Sequence, residues 1–74
     1  EHKDHKSILQ EKLQSKKQQL PEYSLIRSEG NHNKSFIVQC SIKSGEIVTQ
    51  ASGKTLRVAE QQAASKALQA MQND

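Results

Sequence analysis

The spacing of apolar residues along this 74-residue chain switches from helical to alternating and back to helical. Leu9 and Leu13 stand four apart among straight-chain polar residues. That pattern predicts a helix from Asp4 or His5 to about Gln18, with Asp4 as its N-cap. Leu20-Pro21 is expected to end it, because a residue before proline avoids helical geometry. Alternation follows, with Tyr23, Leu25 and Arg27 on one side and Ser24, Ile26 and Ser28 on the other. This predicts a strand from Glu22 to Ser28 or Glu29. The Gly, Asn, His, Lys and Ser residues between Glu29 and Ser35 make a loop. Phe36, Val38, Cys40 and Ile42 then share one face of a second strand. Ser44-Gly45 signals a tight turn, and Glu46 to about Ala51 reads as the return strand of a hairpin. Ser52 to Lys54 connects to a second helix, capped by Thr55 and running to about Met71. Val58 at its third position denies it a capping box.

The inner stripe of that helix is Ala59, Ala63 and Ala67, with Ala64, Leu68 and Met71 alongside. Small side chains let a helix lie close on a sheet. The order is therefore α-β-β-β-α, an α+β fold with a three-stranded antiparallel sheet. Both helices are expected on one face of it, since so short a chain has material for one core. Residues 1–74 read as a single domain. The chain opens on Glu1 and not Met, the expectation for a piece cut from a longer protein.

On the first helix, Ser7, Gln10, Glu11 and Gln14 are spaced i, i+3, i+4, i+7, on the side away from Leu9 and Leu13. Hydroxyl and amide groups both donate and accept hydrogen bonds, which suits a partner displaying both, such as the sugar hydroxyls of an RNA minor groove. By itself such a stripe is more often an ordinary exposed face. The net charge of +3 and a pI near 9.2 favour an anionic partner without identifying it. Lys54 and Arg57 concentrate that charge at the start of the second helix, and Lys34 lies in a polar loop.

Cys40 cannot form an internal disulfide, and His2, His5, His32 and Cys40 have no metal-ligand spacing. A reducing, cytoplasmic setting is expected, and Asn33-Lys34-Ser35 is then no glycan acceptor. Tyr23 and Phe36 are the only aromatic residues, so the core is aliphatic. Cys40 alternates with Val38 and Ile42 and reads as a small core residue. No apolar run approaches membrane-spanning length, and no signal-peptide pattern is visible.

Taken together, order and motifs resemble the double-stranded-RNA-binding domain, most closely that at the C-terminus of bacterial ribonuclease III. The resemblance covers nearly the whole chain. It rests on Leu9-Gln10-Glu11 with Leu13-Gln14, on Pro21-Glu22-Tyr23, and on Gly30 and His32 before Phe36-Ile37-Val38. The run from Gly53 through Lys54-Thr55-Leu56-Arg57 to Ala63-Ala64 completes it. The resemblance implies that Ser7, Gln10, Glu11 and Gln14 lie in one minor groove and that His32 reaches the next. Lys54, Thr55 and Arg57 would straddle the intervening major groove and hold phosphates. Free amides and the positive end of the helix dipole support that last assignment independently.

Two positions depart from the family pattern. Leu56 and Arg57 stand where two adjacent lysines are usual, with Lys54 as a substitute cation. Glu60 stands where many stand-alone members carry a lysine, although ribonuclease III domains often have an acid there. The loop before Phe36 is also one residue short of the usual length.

The family further implies a separate, Mg²⁺-dependent nuclease domain, homodimeric, that processes ribosomal and messenger RNA while this domain anchors the substrate. The chain itself would be a monomer that cuts nothing, needs no cofactor and takes neither membrane nor small molecule as partner. Glu11 and Glu60 have no evident acidic neighbour with which to hold a metal. Gly53-Lys54-Thr55 resembles the end of a phosphate-binding loop, but Val48 occupies the position of that motif's first glycine. A nucleotide-using enzyme is thereby disfavoured. The competing reading is a protein-interaction or dimerisation module of the same fold, for which Leu56 in place of a lysine is the supporting feature.

Overall fold

Asp4 has extended backbone and accepts the Ser7 N–H through Oδ1 at 2.7 Å. From that cap α1 runs over His5–Ser15 in the computed structural model, which describes residues 4–44 and 46–72. The helix stops short of the expected Gln18, and Leu20-Pro21 takes no part in ending it. Lys17 adopts left-handed backbone at φ 57°, which turns the chain back on the last carbonyls. The Gln18 N–H donates to Leu13 O at 2.9 Å and the Lys17 N–H to Gln14 O at 3.0 Å. This pair of bonds is the Schellman closure, here made without its usual glycine.

Strand β1 spans Glu22–Glu29, β2 Ser35–Ile42 and β3 Ile47–Gly53, in the antiparallel order β1-β2-β3. Tyr23 and Leu25 oppose Cys40 and Val38, as the alternation requires. Between Leu25 and Arg27 the register slips, so that Ile26 is an extra residue and Arg27 opposes Ile37. Arg27 consequently leaves the face it was expected to share with Tyr23 and Leu25. A bulge of this kind bends and twists an edge strand, which discourages pairing with a further strand. At the other edge, Lys66 Nζ donates to the Gln50 carbonyl at 2.8 Å.

The hairpin also differs at both ends of its return strand. Glu46 has φ 52° and belongs to the turn, so pairing begins with Ile42 against Ile47. Gly45, half of the predicted turn signal, lies outside the described residues, as does His2. Ser52 and Gly53, expected in the connection, pair with Ile37 and Phe36 and belong to β3.

Helix α2 spans Leu56–Gln72 and lies against β3 and β2, while α1 packs against α2. The core joins Leu9 and Leu13 to Cys40, Ile42, Ala51, Ala63, Ala64, Ala67 and Leu68, with Tyr23, Ile47 and Met71 at its margin. Burying Leu9 and Leu13 stabilises the domain by roughly 1.5–3 kcal/mol each. The alanines let α2 approach so closely that the Thr49 hydroxyl donates to the Ala63 carbonyl at 2.8 Å. The Tyr23 hydroxyl is buried with the Cys40 thiol as polar neighbour and meets no hydrogen-bond partner among the described residues. Burial pushes both groups' pKa values up, so neither ionises readily.

Left-handed backbone costs a non-glycine residue about 1–2 kcal/mol, against about 0.5–1 kcal/mol of extra chain entropy for glycine. Lys17→Gly should therefore raise unfolding stability by about 0.5–1 kcal/mol. Urea denaturation would register it as a higher midpoint at constant slope, and an unmoved or lower midpoint contradicts this account of the helix end.

Candidate nucleic-acid interface

Gly53 sets the position of the basic corner. A Cβ there would stand 2.5 Å from the Ala59 nitrogen and 2.9 Å from the Val58 carbonyl carbon, both backbone atoms that cannot step aside. The chain therefore passes flush against the first turn of α2, and Lys54 and Thr55 follow directly. Thr55 caps that turn: its Oγ1 accepts the Val58 N–H at 3.0 Å and its carbonyl accepts Ala59 N–H at 3.0 Å. With its oxygen so engaged, the Thr55 hydroxyl proton still has a direction in which to donate. The amides of Leu56 and Arg57 have no intrahelical acceptor.

No acidic residue occupies the first turn of α2, and the Arg57 side chain there is 81% exposed. A cation at a helix N-terminus costs stability, on the order of 0.3–1 kcal/mol, so Arg57 does not serve the helix itself. Lys54 is exposed and precedes the helix. Leu56 and Val58 are also exposed, at 45% and 44%, so an apolar side chain is set among the cations.

The loop between β1 and β2 is shaped by Gly30, whose φ of 91° only glycine adopts comfortably. A Cβ on Gly30 would lie 2.4 Å from the Asn33 carbonyl oxygen. The resulting fold-back presents an open cleft of about 500 Å³ lined by Asn31, His32, Asn33, Lys34, Phe36 and Lys54, among others. His32 and Lys54, more than twenty positions apart in the chain, thus face the same cleft.

A second cleft, of about 330 Å³, is lined by Asp4, Lys6, Ser7, Gln10, Arg57 and Gln61. It brings half of the α1 stripe beside the basic corner. Ser7 is half-buried and Gln10 exposed, while Glu11 and Gln14, also exposed, lie further along α1 and line neither cleft. All eight residues singled out from the sequence are thus at the surface. Ser7, Gln10 and Arg57 gather at one cleft, and His32 and Lys54 gather at the other.

What the sequence did not reveal is the junction between the two helix N-termini. Gln61 Oε1 accepts the His5 N–H at 2.7 Å and the Lys6 N–H at 3.2 Å, satisfying two amides of the first turn of α1. Lys6 Nζ lies 2.7 Å from Glu60 Oε1 and 4.9 Å from the Tyr23 ring centroid. The acid at position 60 is thus engaged in an ion pair between the two helices. Arg57 reaches Asp4 Oδ2 only at 4.0 Å. Hydrogen bonds from Ser7, and secondarily Gln61 and the Arg57 charge, hold the Asp4 carboxyl below its ordinary pKa. The partners sit more than fifty positions apart, so no local pattern announces them.

An α-β-β-β-α domain with a basic corner between a polar helix stripe and a folded loop defines a class of nucleic-acid-binding module. The family model described as the double-stranded RNA binding motif matches residues 5–71, and the chain belongs to that family. It is 46% identical over 71 residues to Ribonuclease 3 of Thiobacillus denitrificans, covering 95% of this chain and 31% of that protein. Ribonuclease 3 of Bordetella pertussis is 45% identical over 71 residues, with 95% and 28% covered. The chain spans about a third of the length of the curated relatives it matches. The solution structure of both dsRBDs of DRB4 with their linker superposes with a TM-score of 0.72 at 28% identity, covering 95% of this chain and 45% of that one.

The depressed Asp4 pKa has a sign. Its cap stabilises the fold fully above the ordinary value of 3.8 and fades as the pH falls through the lower value of the folded state. Asp4→Ala should lower the thermal midpoint at neutral pH, with a gap from the parent chain that shrinks steadily as the solution is taken well below pH 3.8. A gap independent of pH in thermal melts would mean that the carboxylate is not the capping group.

Proposed function

We propose that this domain binds the A-form RNA duplex by shape, over about 16 base pairs and with little sequence preference. Ser7, Gln10, Glu11 and Gln14 enter one minor groove and hydrogen-bond its sugar hydroxyls. His32 enters the next minor groove from the loop between β1 and β2. Lys54, Thr55 and Arg57 hold phosphates across the intervening major groove. The reading is supported by two clefts, each of which brings together residues from distant parts of the chain. One cleft carries Ser7 and Gln10 with Arg57, the other His32 with Lys54.

In this reading the domain anchors RNA for a ribonuclease III whose nuclease domain is a separate, homodimeric, Mg²⁺-dependent unit acting on ribosomal and messenger precursors. Similarity to Ribonuclease 3 of several bacteria supports that parentage. The magnesium belongs to that other domain in this reading. A cytoplasmic setting agrees with the single buried thiol, and no helix among the described residues is long and apolar enough to cross a membrane.

Each phosphate contact contributes about 0.9 to the slope of log K against log salt. Lys54→Ala combined with Arg57→Ala should weaken duplex-RNA binding and reduce that slope by about 2, as read from titrations at several salt concentrations. An unchanged slope removes the basic corner from the interface. Gln10→Ala with Gln14→Ala should instead narrow the preference for RNA over DNA duplex, since the DNA lacks the hydroxyls these amides meet. Equal losses on the two polymers, measured by gel shift, would refute the minor-groove role.

A further inference from the structure

The RNA-binding reading leaves open what keeps the α1 stripe in register with the phosphate-holding corner. We propose that Gln61 is the positioning residue that sets this register, clamping the first turn of α1 to the face of α2 that carries Arg57. Arg57 and Gln61 are four apart and so share one helix face, separated by about 6 Å of rise. The same side chain accepts the His5 N–H at 2.7 Å and the Lys6 N–H at 3.2 Å. Ser7 and Gln10, the start of the stripe, line the cleft that Gln61 and Arg57 also line. The spacing between a groove-reading amide and a phosphate-holding guanidinium is thereby carried by one turn of α2 and one bifurcated hydrogen bond.

Glu60 supports the clamp from the adjacent position. Its bond to Lys6 Nζ at 2.7 Å ties the next side chain of α1 to α2, and Lys6 is steadied further over the Tyr23 ring. The apolar core holds α1 at Leu9 and Leu13, further along the helix. Without Gln61 and Glu60, the first turn would keep its Asp4 cap, the long Arg57–Asp4 contact and the Lys6 stacking on Tyr23, and could swing about that apolar anchor. Gln61 itself need touch no RNA for this role.

The test rests on the RNA-binding reading and separates the two. Gln61→Ala in the 74-residue chain should weaken binding of a 16-base-pair RNA duplex about tenfold while leaving the salt slope unchanged, because Lys54 and Arg57 keep their phosphate contacts. In a Gln10→Ala, Gln14→Ala background the same change should cost less than about twofold, because the two groove-reading amides it positions are already gone. Hydrogen exchange in the free protein should show the His5 and Lys6 amides losing protection in Gln61→Ala, with core amides unaffected.

Full RNA affinity in Gln61→Ala would overturn the inference. So would an undiminished loss in the Gln10→Ala, Gln14→Ala background, which would mark Gln61 as an independent contact. A lowered salt slope would also overturn it, since the change would then have reached the charged phosphate contacts of the basic corner. Failure of the unmodified chain to bind RNA duplex would defeat the RNA-binding reading first, and this inference with it. Exchange data would then still report whether Gln61 holds the turn.

Discussion

The attachment of one helix start to the other is the constraint on which the arrangement of this molecule's surface depends. Two backbone amides of α1, otherwise without an intrahelical partner, find their acceptor in a single glutamine from α2. A neutral hydrogen bond of this kind contributes about 1 kcal/mol, and the partly exposed Lys6–Glu60 pair less than that. These are small energies beside the burial of Leu9 and Leu13. Their importance is geometric: the apolar contacts hold the helix to the core without fixing where its first turn ends up, and directional bonds do fix it.

Close approach is the second theme, and it is achieved by leaving atoms out. Ala59, Ala63, Ala64 and Ala67 are fully buried, so α2 rests near the strands with little side chain between. Gly53 extends the same logic to the corner, where any Cβ would collide with the helix backbone. The consequence reaches the surface, because Lys54 and Thr55 have no freedom to drift away from the helix start they serve. A cationic first turn in α2 runs against helix stability, and it is tolerated on a frame this tightly closed.

Much of the fold was legible from residue pattern. Alternation in β2 and the alanine stripe in α2 report directly on burial, and Asp4 and Thr55 announced the two helix starts because a cap bonds only to its own first turn. Misses occurred where the backbone did something that side-chain type does not encode. Lys17 and Glu46 take left-handed conformations that glycine or asparagine would have flagged, so the end of α1 and the start of β3 were each misplaced. The extra residue at Ile26 reversed Arg27, because a bulge depends on what the neighbouring strand offers.

For the candidate site, the chain by itself determined which groups are available. It supplied a stripe of hydrogen-bonding side chains on one helix, a histidine in a polar loop, and cations beside a helix start. Tertiary structure alone decided that Ser7 and Gln10 meet Arg57 at one cleft, that His32 meets Lys54 at another, and that Glu60 answers Lys6. The reason is physical. Periodicity and caps act over a few residues, whereas the bonds made by Gln61 and Glu60 join positions more than fifty apart, and only the closed core brings such partners within reach.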